Sequence, residues 1–389
     1  METVFPIERF SRWIPDLIVV LLVLAALYQL RAWARDWAAP RSSRLWLALA
    51  NVIPGFFACW LLVSLVLRSS RVGDRVDTYW RSWVRAGGLT SGFLLAGLFV
   101  CVLFWRRVPK FQPERRALLV AARTAVFAAP AIVTGFGMFV QRREFHVKEV
   151  NLPVAGLPPD LQGLRLVQLS DIHLSPFLTE SELAYVVAMA NETKAHVALV
   201  TGDLISNHDD PLDACLRLLA RLRSDAGTLG CLGNHETYSG MEDYAASAGA
   251  RLGIRFLRDE ARILRFGQAT LNIAGVDYQQ HDKTYLPDAH RLILPGSTNL
   301  LLSHNPDVFE VAAEQGWSGV ISGHTHGGQV NVEILHQNLN LARFFTPYVY
   351  GLYRKPASSI YVTRGIGTIG MPVRLGAPPE IALIKLCAT

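Results

Sequence analysis

Residues 149–389 repeat one pattern, in which a short apolar run ends in a cluster of polar side chains. An apolar run of this length, followed by turn residues, predicts a buried β-strand. Amphipathic helical patterns separate several of the runs, for example after a capping box formed by Thr179 and Glu182. Strands that alternate with helices predict an α/β layer structure. The five runs with polar ends are 164–169, 197–200, 229–232, 299–302 and 319–321.

The polar clusters behind these runs carry seven potential metal ligands. In layered α/β folds, ligands collect at the carboxyl ends of the strands, so we expect the seven side chains to converge. All are oxygen or imidazole donors, which suit Mn²⁺ first and Fe or Zn²⁺ as alternatives. Seven donors exceed one tetrahedral site and suit two divalent ions about 3.5–4 Å apart that share a carboxylate. The predicted ligands are Asp171, His173, Asp203, Asn234, His304, His324 and His326.

The motif Gly323-His324-Thr325-His326 places two imidazoles one residue apart, directly after the run 319–321. Its glycine, together with Gly327 and Gly328, lets the backbone turn sharply and approach whatever the histidines hold. Taken alone, an Asp or His at a strand end is usually part of turn or capping chemistry. The joint occurrence at five strand ends favours a metal site over that interpretation.

Four long apolar segments fill the N-terminal part of the chain. A helix needs about 20 apolar residues to cross about 30 Å of hydrocarbon. The second and fourth segments reach this length, the third nearly does, and the first is short and begins with Pro15 and Asp16. We therefore predict a transmembrane region of about four helices over residues 1–148 and a separate α/β domain over residues 149–389. The predicted segments are 14–30, 45–67, 89–105 and 117–140.

The charge is unevenly divided, since residues 1–150 contain 20 Lys and Arg against 9 Asp and Glu, and the remainder contains 18 against 23. Because the Arg residues of the first part lie between apolar runs, we interpret them as membrane flanks that contact anionic lipid, and not as a nucleic-acid surface. The basic flanks as a whole do not decide the orientation. The dense basic loop 106–116 favours the cytoplasm, which would put the C-terminal domain outside the plasma membrane. The five cysteines form no CxxC pair, and we interpret them as isolated buried thiols.

The polar clusters match every motif of the calcineurin-like metallophosphoesterase superfamily, which the sequence resembles over roughly residues 160–389. The C-terminal motifs around Arg364 and Arg374 resemble those of the bacterial YkuE/YaeI-type branch, whose members are membrane-associated. The resemblance implies a four-layer α/β/β/α sandwich with two metal ions, in a bacterial inner-membrane protein that is here multi-pass. The matching motifs are Asp171-x-His173, Gly202-Asp203, Gly233-Asn234-His235-Glu236, His304 and Gly323-His324-x-His326.

The resemblance also implies a division of the ligands between the two ions, with Asp203 bridging them. A hydroxide held between the ions would attack phosphorus in line. One ion would take Asp171, His173, Asp203 and His326. The other would take Asp203, Asn234, His304 and His324.

Four further residues are predicted beside the ligands. His235 follows Asn234, so we expect it to face the substrate and donate a proton to the leaving group or stabilise the transition state, with support of its loop as the alternative. Glu236 is a candidate for orienting ligand histidines. Arg364 and Arg374 are candidates for contacting a substrate phosphate, with surface or structural ion pairs as the alternative.

These observations predict a membrane-anchored phosphoesterase that hydrolyses a phosphodiester or pyrophosphate bond. The bilayer favours an amphiphilic substrate, and the resemblance points to a lipid-linked nucleotide such as UDP-2,3-diacylglucosamine. That substrate is cytoplasmic, so it would require a catalytic domain inside the cell. The alternative is a catalytically silent scaffold or sensor at the membrane, but such proteins normally lose ligands, and here all seven are present.

Overall fold

The computed structural model describes residue 28 and residues 44–69, 78–106, 116–280, 283–334 and 337–389. The chain divides into two compact units, Met1–Phe136 and Gly137–Thr389. The first unit contains the apolar segments, and the second contains all the predicted strands.

Three long helices cover most of the apolar segments. Helix α1 is Arg44–Ser69, α2 is Thr78–Arg106 and α3 is Arg116–Phe139. They coincide with the second, third and fourth predicted segments, whereas the first segment lies outside the described residues except for Tyr28. Within the described residues, two stretches are long and apolar enough to cross a membrane, so the predicted four helices are not confirmed. These stretches are Tyr79–Trp105 and Ala125–Arg143.

Helices α1 and α2 pack closely at two glycines. A Cβ atom on Gly87 would lie 2.4 Å from Nε1 of Trp60, and one on Gly88 would lie 2.2 Å from Cβ of Ser64. The Trp60 indole donates to the carbonyl of Val84 at 3.1 Å. Small residues are typical of crossings between membrane helices, because they let the backbones approach.

The second unit is built on two six-stranded mixed sheets. The strands of the first sheet are β1 (His146–Val154), β2 (Arg165–Leu169), β3 (Val197–Thr201), β4 (Thr228–Cys231), β5 (Ile254–Phe256) and β14 (Glu380–Ala388). Their order is β1-β14-β2-β3-β4-β5. Strands β2 to β5 run parallel, and β14 is antiparallel to β2 and parallel to β1. The pairing of β1 brings residues 146–148 into this sheet.

The strands of the second sheet are β6 (Glu260–Phe266), β7 (Ala269–Gly275), β8 (Thr298–Leu302), β9 (Gly319–Ser322), β12 (Gly351–Lys355) and β13 (Ser358–Val362). Their order is β12-β13-β9-β8-β7-β6, with four parallel central strands and an antiparallel strand at each edge. A separate hairpin joins β10 (Asn331–Ile334) to β11 (Gln337–Asn340).

Among the described residues of this unit, five α-helices accompany the two sheets. They are α4 (Glu180–Glu192), α5 (Leu212–Leu219), α6 (Asn234–Ser239), α7 (Glu242–Arg251) and α8 (Phe309–Gln315).

Alternate residues of a strand point to opposite faces of its sheet, and this divides the core into three apolar clusters. In β3, Val200 packs in one cluster with α4, α5 and α7, whereas Leu199 packs against strands of the second sheet. In β8, Leu301 packs with Phe309 of α8 on the outer face of the second sheet. The unit therefore has an α/β fold with two mixed sheets, as predicted.

Candidate metal centre

The carboxyl ends of parallel strands position the predicted ligands. In the first sheet the ligands follow β2, β3 and β4, and in the second sheet they follow β8 and β9. The two sets of loops meet at the backbone N–H of His324, which donates to Oδ1 of Asp171 at 2.8 Å. This bond joins the ends of the two sheets at the site.

Four of the ligands form one compact buried group. Potential ligand atoms of Asp171, His173, Asp203 and His326 all lie within 4.8 Å of one another. The Nε2 atoms of His173 and His326 are 3.1 Å apart. Oδ1 of Asp171 lies 3.4 Å from Nε2 of His326, and Oδ2 of Asp203 lies 3.4 Å from Nε2 of His173. The group thus offers two carboxylates and two imidazoles to one point.

A second group shares Asp203 with the first and adds His304 and His324 within the same 4.8 Å limit. Nε2 of His304 lies 3.2 Å from Oδ2 of Asp203. Nδ1 of His304 donates to the carbonyl of Thr201 at 2.7 Å, and a carbonyl only accepts, so Nδ1 carries the proton. That bond leaves Nε2 as the ligand atom, as a hydrogen bond to the far nitrogen does in metal-bound histidines.

Several buried side-chain atoms of the predicted ligands have no hydrogen-bond partner among the described residues. A buried polar atom without a partner is costly and requires an explanation, such as a bound ion. Each of these atoms is an oxygen or nitrogen that accepts a divalent cation, so the residues fit the metal ions that the motifs imply. The atoms are Asp171 Oδ2, Asn234 Oδ1, His304 Nε2 and His326 Nδ1.

The backbone at five of the ligands lies in the left-handed region, with φ between 47° and 77°. Each such conformation costs roughly 1–3 kcal/mol in a residue other than glycine, and it persists only where the surroundings impose it. Asp and His tolerate this region better than most residues. The strain therefore marks loops whose shape is set by the ligand geometry. The five residues are Asp171, His173, Asp203, His324 and His326.

Asp203 and His304 set the charge of the site together. Burial by itself would raise the pKa of Asp203, but the neighbouring imidazoles, chiefly His304 and then His173 and His235, together outweigh burial and hold the pKa of this carboxyl well below its usual range. Burial would likewise lower the pKa of His304, but Asp203 outweighs it and raises the pKa to about 10. Without a metal ion, a proton on Nε2 of His304 would therefore face the ionised carboxylate at neutral pH, and a divalent cation would take the place of that proton.

Burial is the main cause of the pKa shifts of the other three ligands in the first group. It raises the pKa of Asp171 to about 6 and lowers the pKa of His173 to about 3. Burial also lowers the pKa of His326 well below its usual value. Both imidazoles are therefore neutral at pH 7, which is the form that binds a metal ion.

His235 lies beside the ligands and is held there by two hydrogen bonds. Its Nδ1 donates to the carbonyl of Ser206 at 2.7 Å, and its backbone N–H donates to Oδ1 of Asp203 at 3.0 Å. Its ring centroid is 4.8 Å from that of His173, and the two rings form a T-shaped pair with an interplanar angle of 89°. Because Nδ1 is occupied by Ser206, Nε2 is the nitrogen left to contact a substrate.

Glu236 holds the loops and does not orient a ligand histidine. Its carboxylate accepts from the backbone N–H groups of Asp203 at 2.9 Å, Leu204 at 2.8 Å and Gly233 at 2.8 Å. The predicted contact with a histidine is therefore wrong. A carboxylate that accepts several N–H bonds fixes a strained loop, here the one carrying Asp203.

The two predicted phosphate-binding arginines have different surroundings. Arg374 is fully buried and donates to the carbonyls of Gly367 at 3.0 Å, Ala377 at 2.9 Å and Arg364 at 2.9 Å. This placement favours the structural alternative for Arg374. The guanidinium of Arg364 is half-buried over the ring of Tyr350, at 4.5 Å from the centroid, and its Nε has no partner among the described residues.

Two tyrosines that the motif analysis missed line the site. The ring of Tyr278 lies 5.8 Å from that of His324, 6.2 Å from that of His304 and 6.2 Å from that of Tyr238. Burial raises the pKa of Tyr278, so its hydroxyl stays protonated at neutral pH. The available signal was the strand-end pattern itself, because Asp277-Tyr278 follows β7 just as the ligands follow their strands.

The sequence model of the calcineurin-like phosphoesterase family matches residues 164–328, which contain all seven predicted ligands. A transmembrane protein with a metallophosphoesterase domain from Danio rerio is 28% identical over 363 residues, covering 84% of this chain and 80% of the relative. The protein of the same name from Bos taurus is 32% identical over 307 residues, covering 74% of this chain and 67% of the relative. The phosphodiesterase YaeI of Escherichia coli is 27% identical over 281 residues, covering 70% and 99%.

The fold, the ligand groups and these similarities define the class of metal-dependent phosphoesterases. Within that class, the chain belongs to the calcineurin-like phosphoesterase family, as its motifs predict. The similarity to YaeI supports the predicted bacterial branch. The family uses a dinuclear centre of divalent metal ions, for which the two groups that share Asp203 are the candidate site.

Proposed function

We propose that this chain is a membrane-anchored phosphoesterase that hydrolyses a phosphodiester or pyrophosphate bond at a pair of divalent cations. One observation carries the proposal: two groups of potential ligand atoms, all buried except those of His324, share the carboxylate of Asp203, and bound cations would explain their buried atoms without a partner. A single shared carboxylate between two groups is the arrangement of two-metal hydrolases. The name of the relative YaeI supports phosphodiesters as the substrate class.

Seven residues would hold the two ions, and the ions would supply a water that is nucleophilic at neutral pH and charge to offset that of the phosphate. Asp171, His173 and His326 would hold one ion together with Asp203. Asn234, His304 and His324 would hold the other, again with Asp203.

The neighbouring side chains would bind the substrate and move its proton. The Nδ1 of His235 is bonded to the carbonyl of Ser206, so its Nε2 would give a proton to the leaving oxygen. Tyr278 and Tyr238 form an aromatic wall beside His304 and His324, against which a leaving group would lie. The guanidinium of Arg364 lies over the ring of Tyr350, and its Nε has no partner among the described residues. It would bind a second phosphate or a carboxylate of the substrate.

The apolar helices favour a substrate that lies in or near a bilayer. Ala125–Arg143 is long and apolar enough to span, and it leads directly into β1 of the catalytic unit. Large apolar side chains on the helices are exposed, including Ile132 at 66% and Val100 at 62%. Such surfaces are expected against lipid. We therefore propose a lipid-linked phosphoester, of which UDP-2,3-diacylglucosamine is the candidate for a pyrophosphate bond.

The proposal is tested on the full chain in lipid nanodiscs. Metal content is measured by mass spectrometry, and turnover is compared on bis(4-nitrophenyl) phosphate, 4-nitrophenyl phosphate and UDP-2,3-diacylglucosamine. We expect two metal ions per chain, faster turnover of the diester than of the monoester, and loss of both metal and turnover in Asp203→Asn. The exposed Asp225 provides the matched control Asp225→Asn. A folded, metal-loaded protein that hydrolyses none of the three compounds would contradict the proposal.

A further inference from the structure

Phe344 and Phe345 are the most exposed large apolar side chains among the described residues, at 84% and 83% of full exposure. They lie at the end of the short 3-10 helix Leu341–Phe344, directly after the exposed Arg343. Phenylalanine is usually buried, and two adjacent exposed rings form an apolar patch that indicates a partner. We call residues 341–349 the RFF loop; they contain no Asp or Glu.

Hydrogen bonds fix the RFF loop to the histidine motif of the metal centre. Before the loop, the side chain of Asn340 donates to the carbonyl of Gly327 at 2.9 Å and accepts from the N–H of Ala342 at 2.9 Å. At the end of the loop, the hydroxyl of Thr325 donates to the carbonyl of Val349. Both anchors flank His326, so the two phenylalanines hold a set position relative to the metal ligands.

A second set of contacts links the same region to the end of the apolar helix α3. The catalytic unit begins at Gly137, inside α3, and the carbonyl of Gly137 accepts from the N–H of Arg374 at 3.2 Å. The next residue, Leu375, donates to the carbonyl of Gln329 at 2.9 Å. Gln329 lies two residues after Gly327, whose carbonyl accepts the hydrogen bond from the side chain of Asn340. A short chain of hydrogen bonds therefore runs from the helix end to the RFF loop.

We propose that the RFF loop docks on the bilayer that holds α3, with Phe344 and Phe345 at the boundary of headgroups and acyl chains and Arg343 on the lipid phosphates. This inference rests on the proposed membrane anchoring. Asp307 and Glu310 accept hydrogen bonds from Thr346 and Tyr348 on the inner side of the loop, but the loop itself has no acid beside Arg343. Aromatic rings next to such a cationic side chain match an anionic lipid surface in both polarity and charge.

Phe139 and Val140, just past Gly137, are 66% and 53% exposed, and they extend the apolar surface at the helix end. Docking at the helix end and at the RFF loop would hold the catalytic unit to the membrane at two places. The metal centre would then act on phosphoesters at headgroup depth.

The test uses the full chain in nanodiscs of equal parts phosphatidylcholine and phosphatidylglycerol, with Phe345 replaced by the photoreactive p-benzoylphenylalanine. The control carries the same replacement at Ile263, which is 51% exposed on β6, the edge strand of the second sheet opposite to β12. After irradiation, mass spectrometry identifies what each position has bound. We expect a lipid adduct at position 345 and none at position 263.

Other products would overturn the inference: an adduct to a second copy of the chain or to another protein, equal lipid adducts at both positions, or no adduct at position 345. Arg343→Glu, combined with the photoreactive residue at 345, should reduce the lipid adduct at least about fivefold, because one cationic residue near an anionic surface contributes about that factor. An unchanged yield would remove Arg343 from the proposed contact.

Turnover of the water-soluble bis(4-nitrophenyl) phosphate is measured on every variant. Retained turnover without a lipid adduct would refute the docking surface and leave the proposed function intact. A lipid adduct in a protein that turns over no phosphoester would support the docking surface and refute the proposed function.

Discussion

The Nε2 atoms of His173 and His326 lie 3.1 Å apart, with the two rings stacked at a centroid distance of 4.9 Å. Two neutral imidazoles cannot both direct lone pairs into so short a gap unless a proton or a cation lies between them. Burial lowers the pKa of both histidines, so both rings are neutral, and a cation between the two Nε2 atoms would bind both lone pairs.

Metal removal should therefore destabilise the catalytic unit. A ligand present at about 100 times its dissociation constant stabilises a protein by about 2.7 kcal/mol, which corresponds to a shift of about 5–10 °C in Tm for a unit of this size. We expect the Tm to fall by that amount on treatment with EDTA and to recover with Mn²⁺. An identical Tm in EDTA and in excess Mn²⁺ would mean that the gap between His173 and His326 holds no metal.

Asp203→Asn should abolish most of the activity while the unit stays folded. The carboxylate belongs to both ligand groups and also accepts from the N–H of His235. An amide keeps the shape but loses the charge, so turnover should fall by more than about 100-fold, the upper limit for residues that only support a ligand. Turnover, metal content and circular dichroism are compared with those of Asp225→Asn, which should behave as wild type. Turnover within a few-fold of wild type would exclude a bridging role for Asp203.

His235→Ala should lose turnover without losing metal, and the loss should depend on the leaving group. A general acid contributes about 10²–10⁴-fold when the leaving oxygen needs a proton. We expect a loss in this range on a diester with an alkyl leaving group and a much smaller loss with 4-nitrophenolate, which leaves unprotonated. The exposed His208, whose Nδ1 also contacts a carbonyl, provides the control His208→Ala. Equal losses on both substrates would indicate a positioning role for His235.

Gly323→Ala adds only one methyl group, but it should weaken metal binding strongly. A Cβ atom at this position would lie 2.0 Å from Oγ of Ser170 and 2.4 Å from Oδ2 of Asp171. The carboxylate would have to move, so we expect metal affinity to drop at least about tenfold in a titration followed by calorimetry. Gly135→Ala, at a helical glycine with no atom within 4 Å of the added methyl, should leave the affinity unchanged.

Substitutions of the two predicted phosphate-binding arginines should have different effects, one on stability and the other on substrate binding. Arg374→Met leaves three buried carbonyls without their donor, which should cost roughly 3 kcal/mol or more and lower the Tm. Arg364→Met, at a half-buried side chain stacked on Tyr350, should change the Tm little and raise KM. Thermal unfolding and steady-state kinetics on both variants give the comparison. A stable Arg374→Met protein with a raised KM would reverse the assignment.

The buried strands and their ends are the most predictable part of this fold. The run 319–321 becomes β9, Gly319–Ser322, and the run 197–200 becomes β3, Val197–Thr201. Fully buried parallel strands are continuous apolar runs, and polar residues follow where the sheet ends. The capping box of Thr179 and Glu182 also forms as predicted, because both of its bonds are local.

Edge strands and distant contacts could not be predicted in the same way. Over β1, His146–Val154, only two residues are buried, and its partner β14 begins at Glu380, far along the chain. Strand β6, Glu260–Phe266, has no fully buried residue. Such strands lack a distinctive apolar pattern, since one side of each faces solvent. Likewise, nothing local to Glu236 indicates that it reaches the N–H groups of the loop at Asp203.

The position of β14 has a consequence for biosynthesis. This strand, Glu380–Ala388, lies between β1 and β2, so the first sheet has a gap until it is inserted. During translation, α1 to α3 leave the ribosome well before residues 380–388, and domains generally fold as units once their chain is available. The helices can thus form before closure of the sheet that carries Asp171 and Asp203, and the metal centre becomes complete only when the last strand has been synthesised.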